Sequence, residues 1–157
     1  MPVRTTAVAT NDLIDANLLN AVYGAWNAYT PTVSQGASTN IAKTVTYAKY
    51  RQAGKTVDGQ VSLVVTGSGT AGFAVQVTLP VAAANTSANL VVGPAFIYDA
   101  SGGAGAQYYH AVAFLGASSK VYFGRTDTIP TTNWGGDPYI ALAVGDSVSF
   151  QFTYEAA

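Results

Sequence analysis

Val57-Asp58-Gly59-Gln60-Val61-Ser62-Leu63-Val64-Val65-Thr66 decides the fold. Val57, Gly59, Val61, Leu63 and Val65 share one parity; Asp58, Gln60, Ser62, Val64 and Thr66 take the other. Successive side chains of a strand point to opposite faces, so this period of two puts one face in a core and the other in water. Downstream, Phe73, Val75, Val77 and Leu79 alternate with Ala74, Gln76 and Thr78. Near the end, Val148, Phe150, Phe152 and Tyr154 alternate with Ser149, Gln151 and Thr153. Looser strand patterns run over 44–52, 90–99, 106–115, 120–125 and 139–144.

Turn residues separate these stretches. Gln52-Ala53-Gly54-Lys55, Gly67-Ser68-Gly69, Asn85-Thr86-Ser87, Gly116-Ala117-Ser118-Ser119 and Gly145-Asp146-Ser147 read as hairpin connections. About eight short strands with regular turns predict a mainly β chain, an antiparallel jelly-roll-like sandwich. A βαβ fold would need helical crossovers, and no stretch after Trp26 has helical spacing.

Helical spacing is confined to the other end. Thr10-Asn11-Asp12 supplies capping side chains, and Ile14, Leu18, Val22 and Trp26 recur four apart. Leu13, Leu19 and Tyr23 flank that stripe, while Asp15, Asn17 and Asn20 fall away from it. A helix over 12–25, about 21 Å long, is expected. Its stripe suits either the chain's own core or a docking surface. Residues 2–11 before it are small, polar and extended in character, with Arg4 their one charge. The chain thus divides into an arm and helix, 1–28, and a β domain, 29–157.

The length, 157 residues, is that of one ordinary domain, and it can bury a real core without staples. Apolar residues make up 49%, which excludes a disordered chain. Charged residues make up only 10%, against roughly a quarter in an average soluble protein. A surface so sparsely charged resists association poorly, which points to a chain partly covered in an assembly, the alternative being an extracellular β-protein with a Thr- and Ser-rich skin. Seven Lys and Arg against eight Asp and Glu give a formal net charge of -1, which speaks against a general nucleic-acid binder. With no Cys there are no disulfides, thiolate metal sites or Cys nucleophiles. No secretory leader is expected at Met1–Thr6, and no apolar run approaches the ~20 residues of a membrane helix.

Motifs for catalysis are weak. Gly67-Ser68-Gly69-Thr70-Ala71-Gly72 matches a dinucleotide fingerprint by letters, but that motif needs a following helix and here a strand pattern follows. No cofactor is expected. His110 is the single histidine, within Tyr108-Tyr109-His110, with no nucleophile elbow elsewhere. The carboxylates Asp12, Asp15, Asp58, Asp99, Asp127, Asp137, Asp146 and Glu155 are scattered, and no pair stands out for glycoside hydrolysis. Asp99, Asp137 and Asp146 occupy turn-like contexts. Lys43, Lys49 and Arg51 share parity, with Tyr47 and Tyr50 between them. That pattern suits a guarded sheet edge or subunit contact, or a single-strand binder. Thr132-Asn133-Trp134-Gly135-Gly136-Asp137-Pro138-Tyr139 sets a Trp on a Gly-rich loop. Trp134, Asp137 and Tyr139 could form a sugar platform, with Tyr108 beside them, or Trp134 could plug the domain or a subunit contact.

Five stretches taken together carry a resemblance: Trp26-Asn27-Ala28-Tyr29-Thr30-Pro31-Thr32, Tyr50-Arg51-Gln52-Ala53-Gly54-Lys55-Thr56-Val57, Val77-Thr78-Leu79-Pro80-Val81-Ala82-Ala83, Gly145-Asp146, and the closing Thr153-Tyr154-Glu155-Ala156-Ala157. In this order and spacing, 26–157 resembles a β-module of virion proteins of tailed phages, especially those of actinobacteria, found in minor tail and fibre-like proteins. The resemblance implies a non-enzymatic structural part, usually a trimer, at the virion surface. In the long tail proteins the module follows a large N-terminal region. Here about 28 residues precede it, so a freestanding version is expected, and the stretch 43–51 is more basic than in the family.

A freestanding module needs its own anchor, and Arg4, Leu13, Ile14, Leu18, Leu19, Val22, Tyr23 and Trp26 are its candidate residues. An arm of this kind can add to another protein's sheet edge, and many copies turn weak contacts into tight attachment. The expected role is a trimeric decoration protein on the major capsid protein. The alternative is a minor tail or tail-tip protein that grips a host-surface glycan. A third reading, a small cell-wall hydrolase, would need paired carboxylates in a cleft. Neither nucleic acid nor membrane is expected as a partner.

Overall fold

The computed structural model describes residues 22–85, 90–101, 107–116, 119–126 and 141–157. Nine strands run through them: β1 (Asn27–Ala28), β2 (Val33–Gln35), β3 (Lys43–Ala53), β4 (Thr56–Val65), β5 (Val75–Thr78), β6 (Leu90–Asp99), β7 (Gln107–Leu115), β8 (Lys120–Arg125) and β9 (Ser147–Glu155). All neighbours are antiparallel, and the sheet order is β1-β3-β4-β9-β6-β7-β8-β5-β2.

The mainly β, antiparallel class read from the alternation is therefore present. One hydrogen-bonded order runs through all nine strands, and the sheet curls into half a barrel. Phe123 on β8 meets Phe150 on β9 edge-on, ring centroids 5.1 Å apart, although β6 and β7 lie between those strands. Three strand spacings in a flat sheet would be about 14 Å. At one end the remote edges approach each other. Ile41 N–H donates to Val33 O on β2 (2.9 Å), and Thr66 N–H donates to Ala42 O (2.8 Å).

The inner face holds the core. Val57, Val61, Leu63 and Val65 of β4 meet Val148, Phe150 and Phe152 of β9, with Ile97, Ala113, Leu115, Val121 and Phe123 across the curl. Gly59 shares their parity for a packing reason. A Cβ at Gly59 would lie 2.1 Å from Phe152 Cζ, so the missing side chain makes room for the ring. Aromatic contacts continue from Phe150 to Phe152 (5.8 Å) and from Phe152 to Tyr154 (5.7 Å).

Tyr154 closes this row. Its hydroxyl donates to Val81 O (2.7 Å) and receives Val81 N–H (3.3 Å). Burial pushes its pKa up to about 12, with nearby Tyr50 adding to the rise and the Val81 bond acting against it. Tyr29 is raised further, by burial first and by Tyr154 second. The Tyr29 hydroxyl is buried with no hydrogen-bond partner among the described residues.

Three connections differ from the hairpins expected. Residues 66–74 join β4 to β5, which are not neighbours, so Gly67-Ser68-Gly69 lies on a crossing between distant strands. Asn85-Thr86-Ser87 likewise falls between non-neighbours β5 and β6, and Gly145-Asp146-Ser147 between non-neighbours β8 and β9. Local turn residues mark a break in a strand; they do not say which strand comes next in the sheet. Residues 141–146 belong to no strand, though 139–144 has strand-like composition: they carry a buried polar network, described below, in place of ladder bonds.

Candidate functional site

Buried polar side chains come first, because they decide which carboxylates are left for chemistry. Asp146 is fully buried, yet both its oxygens are occupied. Oδ1 accepts Ala100 N–H (2.9 Å) and Oδ2 accepts Ala143 N–H (2.7 Å). Asp99 Oδ1 accepts the Ser101 N–H (2.8 Å) and the Ser101 hydroxyl (2.9 Å). Both aspartates hold turns, as their turn-like sequence contexts suggested. Asp58 accepts from Thr153 Oγ1 (2.8 Å) and faces Arg51 Nε at 3.4 Å. Asp12, Asp15, Asp127 and Asp137 lie outside the described residues. Among the described residues no group of three or more His, Asp or Glu could hold a metal ion, and no helix is long and apolar enough to cross a membrane.

The glycine motif at 67–72 follows β4 and precedes β5. No helix N-terminus faces it among the described residues, so the anion-binding dipole of a dinucleotide site is not supplied there.

The basic stretch splits between two faces. A β-bulge between Val45 and Tyr47 inserts one residue and reverses the parity expected for Lys43, Lys49 and Arg51. Lys43 pairs with buried Val65, whereas Lys49 pairs with Gln60 and Arg51 with Asp58 on the outer face. Lys49 Nζ sits over the Tyr47 ring at 5.6 Å, and the Arg51 guanidinium lies over Trp26 at 5.5 Å.

Of the anchor residues read from the sequence, Arg4, Leu13, Ile14, Leu18 and Leu19 lie outside the described residues, as does most of the expected helix over 12–25. Val22, Tyr23 and Trp26 are described, and they are 57%, 62% and 52% exposed. They flank β1, the short edge strand, where Asn27 pairs with Tyr50 and Ala28 with Lys49. Gly24 brings this segment against β3: its φ is +77°, and a Cβ there would lie 2.4 Å from Gln52 O. A non-glycine residue would meet both the backbone penalty and the clash. The strip therefore runs tight along the sheet while its large apolar side chains face outward.

A second feature was not legible as a unit in the sequence. On the outer face, Tyr98 and Phe96 of β6 interleave with Tyr108 and His110 of β7. Tyr98 and Tyr108 are 4.9 Å apart, Phe96 stacks on Tyr108 at 5.5 Å, and His110 meets Phe96 edge-on at 5.7 Å. Tyr108 is 64% exposed. Next to this row lies an open groove of about 290 Å³, lined by Gln60, Pro94, Phe96, His110, Ser149 and Gln151 with parts of Ala95 and Phe150. Register explains the grouping: Gln60 pairs with Gln151, Ser149 with Phe96, and Phe96 with His110. The signal was the single words Phe96, Tyr98, Tyr108 and His110 at one parity on two strands, but their meeting required the β6–β7 register. Trp134, Asp137 and Tyr139 lie outside the described residues.

Comparison of the chain with protein-family models, curated proteins and solved structures found no match.

Proposed function

We propose that this chain is a non-enzymatic structural protein of a tailed-phage virion, a trimeric decoration protein that holds the capsid shell through its N-terminal arm and helix. The observation that supports this reading is the outward strip Val22, Tyr23 and Trp26 along the sheet edge. Large apolar and aromatic side chains grouped at a chain's approach to its domain are the material of buried contact, and each contributes ~1.5–3 kcal/mol when covered. Low overall charge acts in the same direction. The jelly-roll-like two-layer arrangement belongs to this proposal, with a second layer set across the open side of the half-barrel.

The test is the amount of this chain in purified particles, measured by quantitative mass spectrometry against the major capsid protein. Decoration predicts parity or a simple fraction of it. A ratio far below that would reject decoration and favour a tail location. Removing residues 1–25 should abolish attachment; a truncated chain that still binds particles would overturn the anchor.

A second reading, a tail or tail-tip module that grips a host-surface glycan, is favoured by the outer-face aromatic row and groove.

A further inference from the structure

We propose that the outer-face groove between β4, β9, β6 and β7 is a binding site for one neutral sugar ring of a glycan, with Phe96 as its stacking wall, Tyr108 stacked on Phe96 outside the lining, and Gln60 and Gln151 as its polar grip. The inference rests on the glycan-binding reading and gives it a site and a ligand class.

Size comes first. At about 290 Å³ the groove lies at the low end for ligand sites, which fits a single ring better than a large cofactor. Its walls then sort by chemistry. On one side Phe96 lines the groove, and Tyr108, outside the lining, stacks on it with ring centroids 5.5 Å apart and planes tilted 30°, standing out from the sheet. The C–H face of a pyranose is apolar and flat, and ring faces of this kind cover it. On the other side stand Gln60 and Gln151, directly opposite in register. Each side-chain amide offers two donors and an acceptor, which suits adjacent sugar hydroxyls. Neither amide is bonded to another described protein group, so both are left for a ligand. Ser149 is held in place by donating to Ser62 Oγ at 3.0 Å, leaving its remaining acceptor capacity toward the groove.

Charge fixes the class. The lining holds no carboxylate, Lys or Arg, and His110 is its one titratable side chain. Lys49, the charged register neighbour of Gln60, keeps its ammonium over Tyr47. An acidic sugar would find no fixed cation in the lining, so the site selects neutral hexoses and N-acetylhexosamines.

The experiment is an amide NMR titration of the full chain with maltotriose, cellotriose, galactotriose and chitotriose, and with a trimer of galacturonic acid as the acidic control. At least one neutral trimer should shift Gln60, Phe96, Tyr108, His110 and Gln151 together. Tyr108→Ala and Gln151→Ala should each weaken that binding roughly three- to tenfold, and Tyr108→Phe should retain it. Unchanged core signals in each variant establish that the fold is intact. Neutral-glycan binding that ignores both alanine variants would overturn this site while leaving the glycan-binding reading in place. Binding of the acidic trimer alone would overturn the ligand class. No shift with any trimer would overturn the site, and silence on a wide array of host glycans would reject the glycan-binding reading itself.

Discussion

Gln35 on β2 accepts the backbone N–H of Leu142 at 2.9 Å, a bond between residues 107 apart in the chain, and its side chain is fully buried. The same side chain donates from Nε2 to Phe73 O at 3.0 Å. One amide thus ties an edge strand to two irregular segments, 66–74 and 141–146, that have no ladder of their own. Gly69 N–H donating to Leu142 O at 2.7 Å completes the link between those segments.

Gln35→Leu keeps the volume and removes both bonds. It leaves the buried Leu142 N–H without its partner, a cost of about 1–3 kcal/mol, and removes the part-buried bond to the Phe73 carbonyl as well. Urea denaturation should show a lower midpoint, and hydrogen exchange at Leu142 should quicken before that of β4 or β9. Unchanged exchange at Leu142 would mean that the tie is not what holds the segment.

Gly59→Ala should destabilise the domain by roughly 1–3 kcal/mol, because the added methyl falls on the Phe152 ring inside a filled core. Phe152→Leu is itself destabilising. In the double variant the two costs should sum to less than their separate values, since the smaller residue vacates the space the methyl needs. Strict additivity in a thermal-denaturation cycle would count against the contact.

The unread strand order and the missed aromatic row have one cause. Strand faces were legible in residues 57–66 and 148–154, because the parity of a strand is written locally. Strand neighbours were not, because Phe123 and Phe150 meet across the curl from β8 and β9, which β6 and β7 separate, an order set by β9 entering between β4 and β6. The bulge at Val45–Tyr47 shows the local limit: one inserted residue put Lys43 and Lys49 on opposite faces despite their equal parity. Of the candidate anchor, Val22, Tyr23 and Trp26 were legible as apolar positions. That they face outward follows from β1 pairing with β3, which no spacing rule supplies.

Alkaline pH should unfold the protein through its buried phenols. Tyr154 has its folded pKa pushed up to about 12 from an ordinary 10.0, and Tyr29 is raised as well. Above pH 10 the unfolded chain releases phenolic protons that the folded chain still holds, so stability is full below pH 10 and falls as pH rises toward 12 and beyond. Phenolate absorbance should appear together with loss of β-sheet circular dichroism in that window. Tyr154→Phe should soften this alkaline slope. It should also cost about 1–2 kcal/mol at neutral pH through the lost bonds to Val81.

Tyr29→Phe should behave in the opposite way at neutral pH. Its hydroxyl is buried without a described partner, while its ring meets Tyr50 edge-on at 5.8 Å. Removing the oxygen keeps the ring contact and ends a desolvation cost, so thermal stability should hold or rise by up to about 1 kcal/mol. A marked loss of stability would show that the hydroxyl is engaged.

The place of β9 in the sheet has a consequence for how the molecule comes into being. Its residues, 147–155, fill the gap between β4 and β6, and those two strands have no direct pairing with each other. On the ribosome, the ladder β1-β3-β4 and the ladder β6-β7-β8-β5-β2 have no strand pairing between them, each with an unsatisfied interior edge, until β9 has emerged. The β4–β9 contacts that unite them close long loops, between Ser62 and Ser149 for instance, which are 87 apart. Such closures are slow. Synthesis therefore delivers the keystone after the other eight described strands, and the nascent chain passes through a long interval in which its open edges are the ones most in need of protection from neighbours.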